Sequence, residues 1–82
     1  MFSSQTVGNF IKHIISQESG ISINEIKESQ SFFELGLDSI SAIYLLELVE
    51  NEYQIALTPL DFWDYPTIAE FSNYLVTTKL AK

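Results

Sequence analysis

Apolar residues recur at helical spacing in three stretches of this chain. Val7, Phe10, Ile11, Ile14 and Ile15 mark one face of a 3.6-residue period, with Ser3 or Ser4 placed to accept free amides at its start and Gly20 following its end. The pattern predicts a first amphipathic helix over about residues 5–18. After Asp38, Ile43, Leu46, Val49 and Tyr53 keep the i, i+3, i+6, i+10 spacing of one face, and the Asp38 carboxylate suits an N-cap. A second helix is expected over about 39–53. Thr67 followed by Glu70 forms a T-x-x-E capping box, from which Ile68, Phe71, Leu75 and Val76 carry a last helix to about Lys79.

The segments between are shorter or irregular. Pro59 and Pro66 bracket Leu60 to Tyr65, which leaves room for a short helix or a turn. From Gly20 to Asp38 no period holds, yet Ile21, Ile23, Ile26, Phe32, Phe33 and Leu35 are scattered among serines. A connection this long in a small domain serves a function or docks its own side chains, and the Phe32–Phe33 pair predicts docking. No strand-period segment or internal repeat is visible. The expected architecture is a small all-α bundle of three main helices and one short helix, with a long first loop.

Composition narrows the function. A chain of 82 residues holds one domain, and with 46% hydrophobic residues it is globular in composition. There is no Cys, which excludes disulfides and thiolate metal sites and fits a reducing compartment. No apolar run approaches the roughly 20 residues of a membrane span, and the N-terminus lacks a signal-peptide pattern, so a cytoplasmic protein is expected. The net charge of -7 opposes nucleic-acid phosphates and anionic membranes and favours basic protein partners. No Lys or Arg falls between Lys27 and Lys79, while Glu28, Glu34, Asp38, Glu47, Glu50, Glu52, Asp61, Asp64 and Glu70 all do.

Catalytic signatures are missing. The sole His13 is the only candidate base, no G-x-S-x-G is present, and the three glycines are too widely spaced for a phosphate loop. A lone His without a second His, a Cys or an acidic pair reads as a surface residue, so no catalytic and no metal site is expected. Glu47, Glu50 and Asn51 share one helix side and read as an exposed recognition face. Ser39 differs from the other serines by its place at the first position of a helix, where the dipole and unpaired N–H groups favour a phosphate ester. By itself, an Asp-Ser pair before an apolar helix is a cap.

Phe32-Phe33-Glu34-Leu35-Gly36-Leu37-Asp38-Ser39-Ile40 resembles the attachment motif of acyl carrier proteins, commonly F-x-E-L-G-x-D-S-L. Residues 45–53 resemble their second helix, and residues 61–71 their short third helix and the start of the fourth. The resemblance implies one carrier domain over residues 1–82, folded as a small antiparallel four-helix bundle. It also implies a 4'-phosphopantetheine arm placed on Ser39 by a phosphopantetheinyl transferase, with acyl groups carried as thioesters and no catalysis by the chain itself. Asp38 would then be both helix cap and transferase contact. Ile40, Tyr44, Glu47, Glu50 and Asn51 would form the surface met by acyltransferase, ketosynthase or adenylation enzymes.

Ile40 replaces the family's common Leu and stiffens the patch beside the arm. Tyr44 and Trp63 are large for partner-facing positions; Tyr44 is open between surface and core, and Trp63 is expected in the core because aromatics are more often buried. The L-G-L-D-S and F-W-D-Y-P-T-I-A-E segments resemble carriers of polyketide and mixed polyketide/peptide synthases. Since the sequence begins at Met1 and ends after the last helix without a Pro- or Ala-rich linker, a discrete carrier is expected. A monomer is also expected. A peptidyl or D-alanyl carrier, or an unmodified helical interaction module, is the alternative.

Overall fold

The computed structural model describes residues 3–80. Helix α1 spans Ser4–Ser19, α2 Ser39–Tyr53, α3 Pro59–Asp64 and α4 Ile68–Tyr74, after which a π-helical turn runs over Leu75–Lys79. A three-residue 3-10 turn, Ile23–Glu25, interrupts the long first loop. The expected four-helix architecture is present, and among the described residues there is no strand beyond one isolated bridge between Ser31 and Thr67.

Local chemistry sets the helix ends. The Ser3 hydroxyl accepts the Thr6 N–H at 3.1 Å, and Gly20, at φ +79°, closes α1 by donating its N–H to the Ser16 carbonyl at 3.0 Å. The Thr67 hydroxyl accepts the Glu70 N–H at 3.1 Å, and the two side chains are also bonded to each other at 3.0 Å. A capping interaction not anticipated from sequence starts α3: the Asp61 carboxylate accepts the Thr58 N–H at 2.9 Å, just ahead of Pro59 at N1.

The core gathers one face from each element. Val7, Ile11 and Ile15 of α1 meet Leu45 and Val49 of α2, Phe62 of α3, and Ile68 and Phe71 of α4. The long first loop contributes Ile26, Phe32, Leu35 and Leu37, all buried. Phe32 stacks on Phe62 with centroids 4.4 Å apart and meets Phe71 edge-on at 5.8 Å, so the loop docks by an aromatic cluster. The Phe32 N–H also donates to the Pro66 carbonyl at 2.8 Å, which pins this loop to the α3–α4 junction.

Four expectations are corrected. On α2 the buried residues are Ala42, Leu45, Leu46 and Val49, whereas Ile43 is exposed. The helix is apolar around most of its circumference, so spacing alone selects the wrong member of the face. Trp63 is 56% exposed and not in the core, because α3 turns Phe62 inward and leaves its neighbour outside. Phe33 likewise points outward while Phe32 docks. The last helix is not a single α-helix to Lys79: past Tyr74 the bonding widens, and the Leu80 N–H reaches the Leu75 carbonyl at 2.7 Å.

Candidate functional site around Ser39

The loop before α2 is shaped by its own side chains. Ser31 and Glu34 cap each other: the Glu34 N–H donates to the Ser31 hydroxyl at 3.1 Å, and the Ser31 N–H donates to the Glu34 carboxylate at 3.2 Å. Gly36 then takes φ +87°, a left-handed turn that costs a side-chain-bearing residue, and its N–H donates to the Phe33 carbonyl at 3.0 Å. That turn sends both Leu35 and Leu37 into the core and delivers Asp38 to the start of α2.

Asp38 is the N-cap, accepting the Ser41 N–H at 2.9 Å. This backbone bond, with a further one from the Ser41 side chain, holds the carboxyl below its ordinary value of 3.8, so it is ionised at neutral pH. Ser39 follows as the first residue of α2, exposed, and its hydroxyl makes no hydrogen bond among the described residues. It is thus a presented hydroxyl at a helix N-terminus, where partial positive charge favours an attached phosphate.

Ser39 also lines an apolar groove of about 90 Å³ between α2 and α3. Ala42, Leu46 and Phe62 are its buried lining, with Phe33, Ile43 and Trp63 at its exposed rim. The Phe33 and Trp63 rings lie 5.1 Å apart, tilted by 30°. The sequence pattern does not mark Phe33, Ile43 and Leu60 as surface groups, and Trp63 is expected in the core although it falls at a partner-facing position; for Phe33 and Trp63 the available signal is the adjacency of the F-F and F-W pairs, in which one partner turns inward.

The residues expected on the partner surface divide. Ile40, Tyr44, Glu47 and Asn51 are exposed on α2, Ile40 at 79%. Glu50 is part-buried and occupied: its carboxylate accepts the Leu57 N–H at 2.8 Å and so ties the α2–α3 loop to the helix. His13 is exposed, and among the described residues no group of three or more His, Cys, Asp or Glu could hold a metal ion. No helix among them is long and apolar enough to cross a membrane.

The family model for the phosphopantetheine attachment site matches residues 9–75. The chain belongs to this family. Its members are non-catalytic carriers bearing covalent 4'-phosphopantetheine, and the residues present fit that group: a free, exposed hydroxyl sits at a helix N-terminus beside an apolar groove. Over 79 residues the carrier is 38% identical to "Polyketide synthase 2" of Metarhizium guizhouense, covering 95% of this chain and 4% of that protein. It is 45% identical over 74 residues to the enzyme of that name from Metarhizium robertsii, covering 89% of this chain and 3% of that protein. The chain therefore spans only a few per cent of these relatives. Among solved structures it resembles a free-standing peptidyl carrier protein of an Acinetobacter baumannii secondary metabolic pathway, with TM-score 0.89 and 30% identity over 96% of this chain and 98% of that one. Carrier domains in polyketide synthases work with catalytic domains, and the relatives of this carrier are proteins of that kind and free-standing carriers of secondary metabolism.

Proposed function

We propose that Ser39 is the attachment residue, and that residues 1–82 are one carrier domain passing acyl intermediates between enzymes of a polyketide or mixed polyketide/peptide pathway. The observation that carries the reading is the presented Ser39 hydroxyl at the start of α2, free of hydrogen bonds among the described residues, in a chain of the phosphopantetheine family. In loading, the Ser39 oxygen attacks the coenzyme A phosphorus that bears the pantetheine: an Oγ–P bond forms, the bond from that phosphorus to the bridging oxygen breaks, adenosine 3',5'-bisphosphate leaves with that oxygen, and the hydroxyl proton passes to a base of the transferase. Asp38 holds the helix start in place and meets the transferase. Ile40, Tyr44, Glu47 and Asn51 face acyltransferase, ketosynthase or adenylation enzymes, and the absence of Lys and Arg over residues 28–78 supports basic docking surfaces on those partners. Glu50 joins them only through the part of its carboxylate that Leu57 leaves open. The arm supplies the thiol that this Cys-free chain lacks, and tethering keeps the cargo at high local concentration. The setting is cytoplasmic and the carrier acts as a monomer.

Incubation with a phosphopantetheinyl transferase and coenzyme A should add about 340 Da, the mass of the arm. Ser39→Ala should abolish the gain; no gain in the unaltered chain, or a gain that survives the substitution, rejects Ser39. The likeness to a peptidyl carrier favours one second reading, an aminoacyl cargo loaded by an adenylation enzyme. Offering the arm-bearing protein to adenylation enzymes and to acyltransferases separates the two.

A further inference from the structure

Away from Ser39, the end of the chain presents a second concave surface. Glu70, Asn73, Tyr74, Thr77 and Thr78 fall at i, i+3, i+4, i+7 and i+8, one face of α4 and the π-helical turn after it, and with Tyr65 they line a groove of about 360 Å³. It shares no lining residue with the groove beside Ser39. We propose that this surface is a docking site for an arginine side chain of a partner protein, its guanidinium laid against the Tyr65–Tyr74 pair and bonded to Glu70. A partner held there leaves Ser39 uncovered.

Charge selects a cation. Glu70 is the one charged side chain in the lining, the Asp61 carboxylate meets the Tyr74 hydroxyl at 2.8 Å, and the charges of Asp61 and Asp64 both act on that phenol. From Pro59 to Leu80 the only basic residue is Lys79, which lies outside the lining. The groove also runs towards the C-terminal end of the helix, where the dipole's partial negative charge favours a cation. Hydrogen-bond acceptors are open. One Glu70 oxygen takes the Thr67 hydroxyl at 3.0 Å and leaves the other free, and the Asn73 side chain has no hydrogen bond among the described residues. The rings then choose arginine over lysine. Tyr65 and Tyr74 are half-buried and stacked 4.2 Å apart and 12° from parallel, which makes them a fixed aromatic wall. A planar guanidinium stacks on such a wall, and its five N–H donors reach a carboxylate and an amide together. An ammonium is a compact, strongly hydrated charge with three donors and gains less there.

The test uses the full chain without the arm, so its outcome does not depend on loading at Ser39. The nitrogen-15-labelled protein is titrated with the end-capped peptide Gly-Arg-Gly and with its lysine and citrulline counterparts, citrulline being the uncharged isostere of arginine. Amide shifts at Tyr65, Glu70, Asn73 and Tyr74 should saturate with the arginine peptide, about threefold weaker with lysine and at least about tenfold weaker with citrulline. Glu70→Gln keeps an acceptor for Thr67 and should weaken the arginine peptide about fivefold. Tyr65→Leu should bring arginine and lysine to parity. Thr77→Lys, at an exposed position, should abolish binding and serves if the tyrosine variant fails to fold. Equal binding of the arginine peptide with either counterpart, shifts of the same size at Glu47 and Glu52 on α2, binding unaltered in Thr77→Lys, or no saturable shift with any peptide overturns the proposal and leaves the reading of Ser39 untouched.

Discussion

The seam between α1 and α4 and the face formed by α2 and α3 are both rich in large apolar side chains, and they use them in opposite ways. Along the seam, Val7, Ile11, Ile15, Ile68, Phe71 and Leu75 are sealed from solvent. On the α2–α3 face, Ile40, Ile43, Tyr44, Leu60 and Trp63 stay outside together with Phe33 from the loop, and Phe33, Ile43 and Trp63 line the same groove as the residue proposed to carry the arm. Burying a Leu-sized side chain is worth about 1.5–3 kcal/mol, and an apolar cluster left in water forgoes that gain. Exposed apolar patches of this kind mark surfaces that meet something else. Stability thus resides in the seam and recognition in the face, although the two regions have similar composition.

The adjacent phenylalanines give the sharpest break between the regions. Phe32→Ala removes a ring that is 0% exposed and stacked on Phe62, and should cost about 3–5 kcal/mol, enough to unfold a marginal 82-residue domain at moderate temperature. Phe33→Ala removes a ring that is 47% exposed and should cost under about 1 kcal/mol, while reducing productive encounters with partner enzymes. Urea denaturation of both variants checks this, and comparable losses of stability would remove the distinction.

How much of this division the sequence shows depends on how local each cause is. Caps at Ser3, Asp38 and Thr67 and the stop at Gly20 are legible because the partner atoms lie within about four residues. The Asp38–Ser39 pair is legible for the same reason, and the motif around it singles out the family. The inward side of α2 is only partly legible: Leu46 and Val49 are buried as their spacing predicts, but Ile43 is not. Ile40, Ala42, Ile43, Tyr44, Leu45, Leu46, Leu48 and Val49 leave little polar contrast, so the choice of Leu45 over Ile43 is made by α1 and α3 packing against the helix. Trp63 fails for a statistical reason, since average burial of aromatics says nothing about which of two neighbours on a short helix turns inward. Glu50 fails because its partner, the Leu57 N–H, lies beyond the end of its helix.

Tyr74 joins the two regions, and removing its hydroxyl should loosen one from the other. It donates to the Asp61 carboxylate at 2.8 Å, linking α4 to the start of α3, and its ring stacks on Tyr65 at 4.2 Å. Tyr74→Phe keeps the stack, loses the hydrogen bond and should cost about 1–1.5 kcal/mol. Burial first, and then the bond to Asp61, push the phenol from its ordinary 10.0 up to about 12. A raised value means the folded state holds this proton more tightly than the unfolded chain. Its contribution is therefore complete below about pH 10 and is lost as the pH rises towards 12. The stability gap between the native chain and Tyr74→Phe should narrow across that window; a constant gap would place the effect elsewhere.

Within the seam, one residue departs from the apolar rule. Ser72 is 1% exposed, and its hydroxyl has no hydrogen-bond partner among the described residues. It faces Gly8 so closely that a Cβ there would stand 3.3 Å from the hydroxyl oxygen. Ser72→Ala removes a buried, unsatisfied polar group and should stabilise the fold by about 0.5–1 kcal/mol, against the destabilisation expected of most core changes. Thermal melts of this variant and of Gly8→Ala with Ser72→Ala would show whether the seam can close further. A loss of stability in Ser72→Ala would mean that the hydroxyl is satisfied in solution.

The smallest expected effect concerns the charge on the recognition face. Glu47 is exposed on α2 beside Tyr44 and Asn51, and no hydrogen bond or ion pair engages it among the described residues. Glu50 is the poorer probe, since reversing its charge would also free the Leu57 N–H. Glu47→Lys alone should therefore leave stability within about 0.5 kcal/mol of the native value. Its effect should appear in association: loading of Ser39 by a transferase with a basic docking surface should slow by about threefold at low salt. At 0.5 M salt the difference should shrink, because the Debye length falls to about 4 Å and only contacting charges still act. The salt dependence separates steering from contact. A threefold loss that persists in high salt would make Glu47 a direct contact of the partner, and an unchanged rate at every salt concentration would remove α2 from the electrostatic part of recognition.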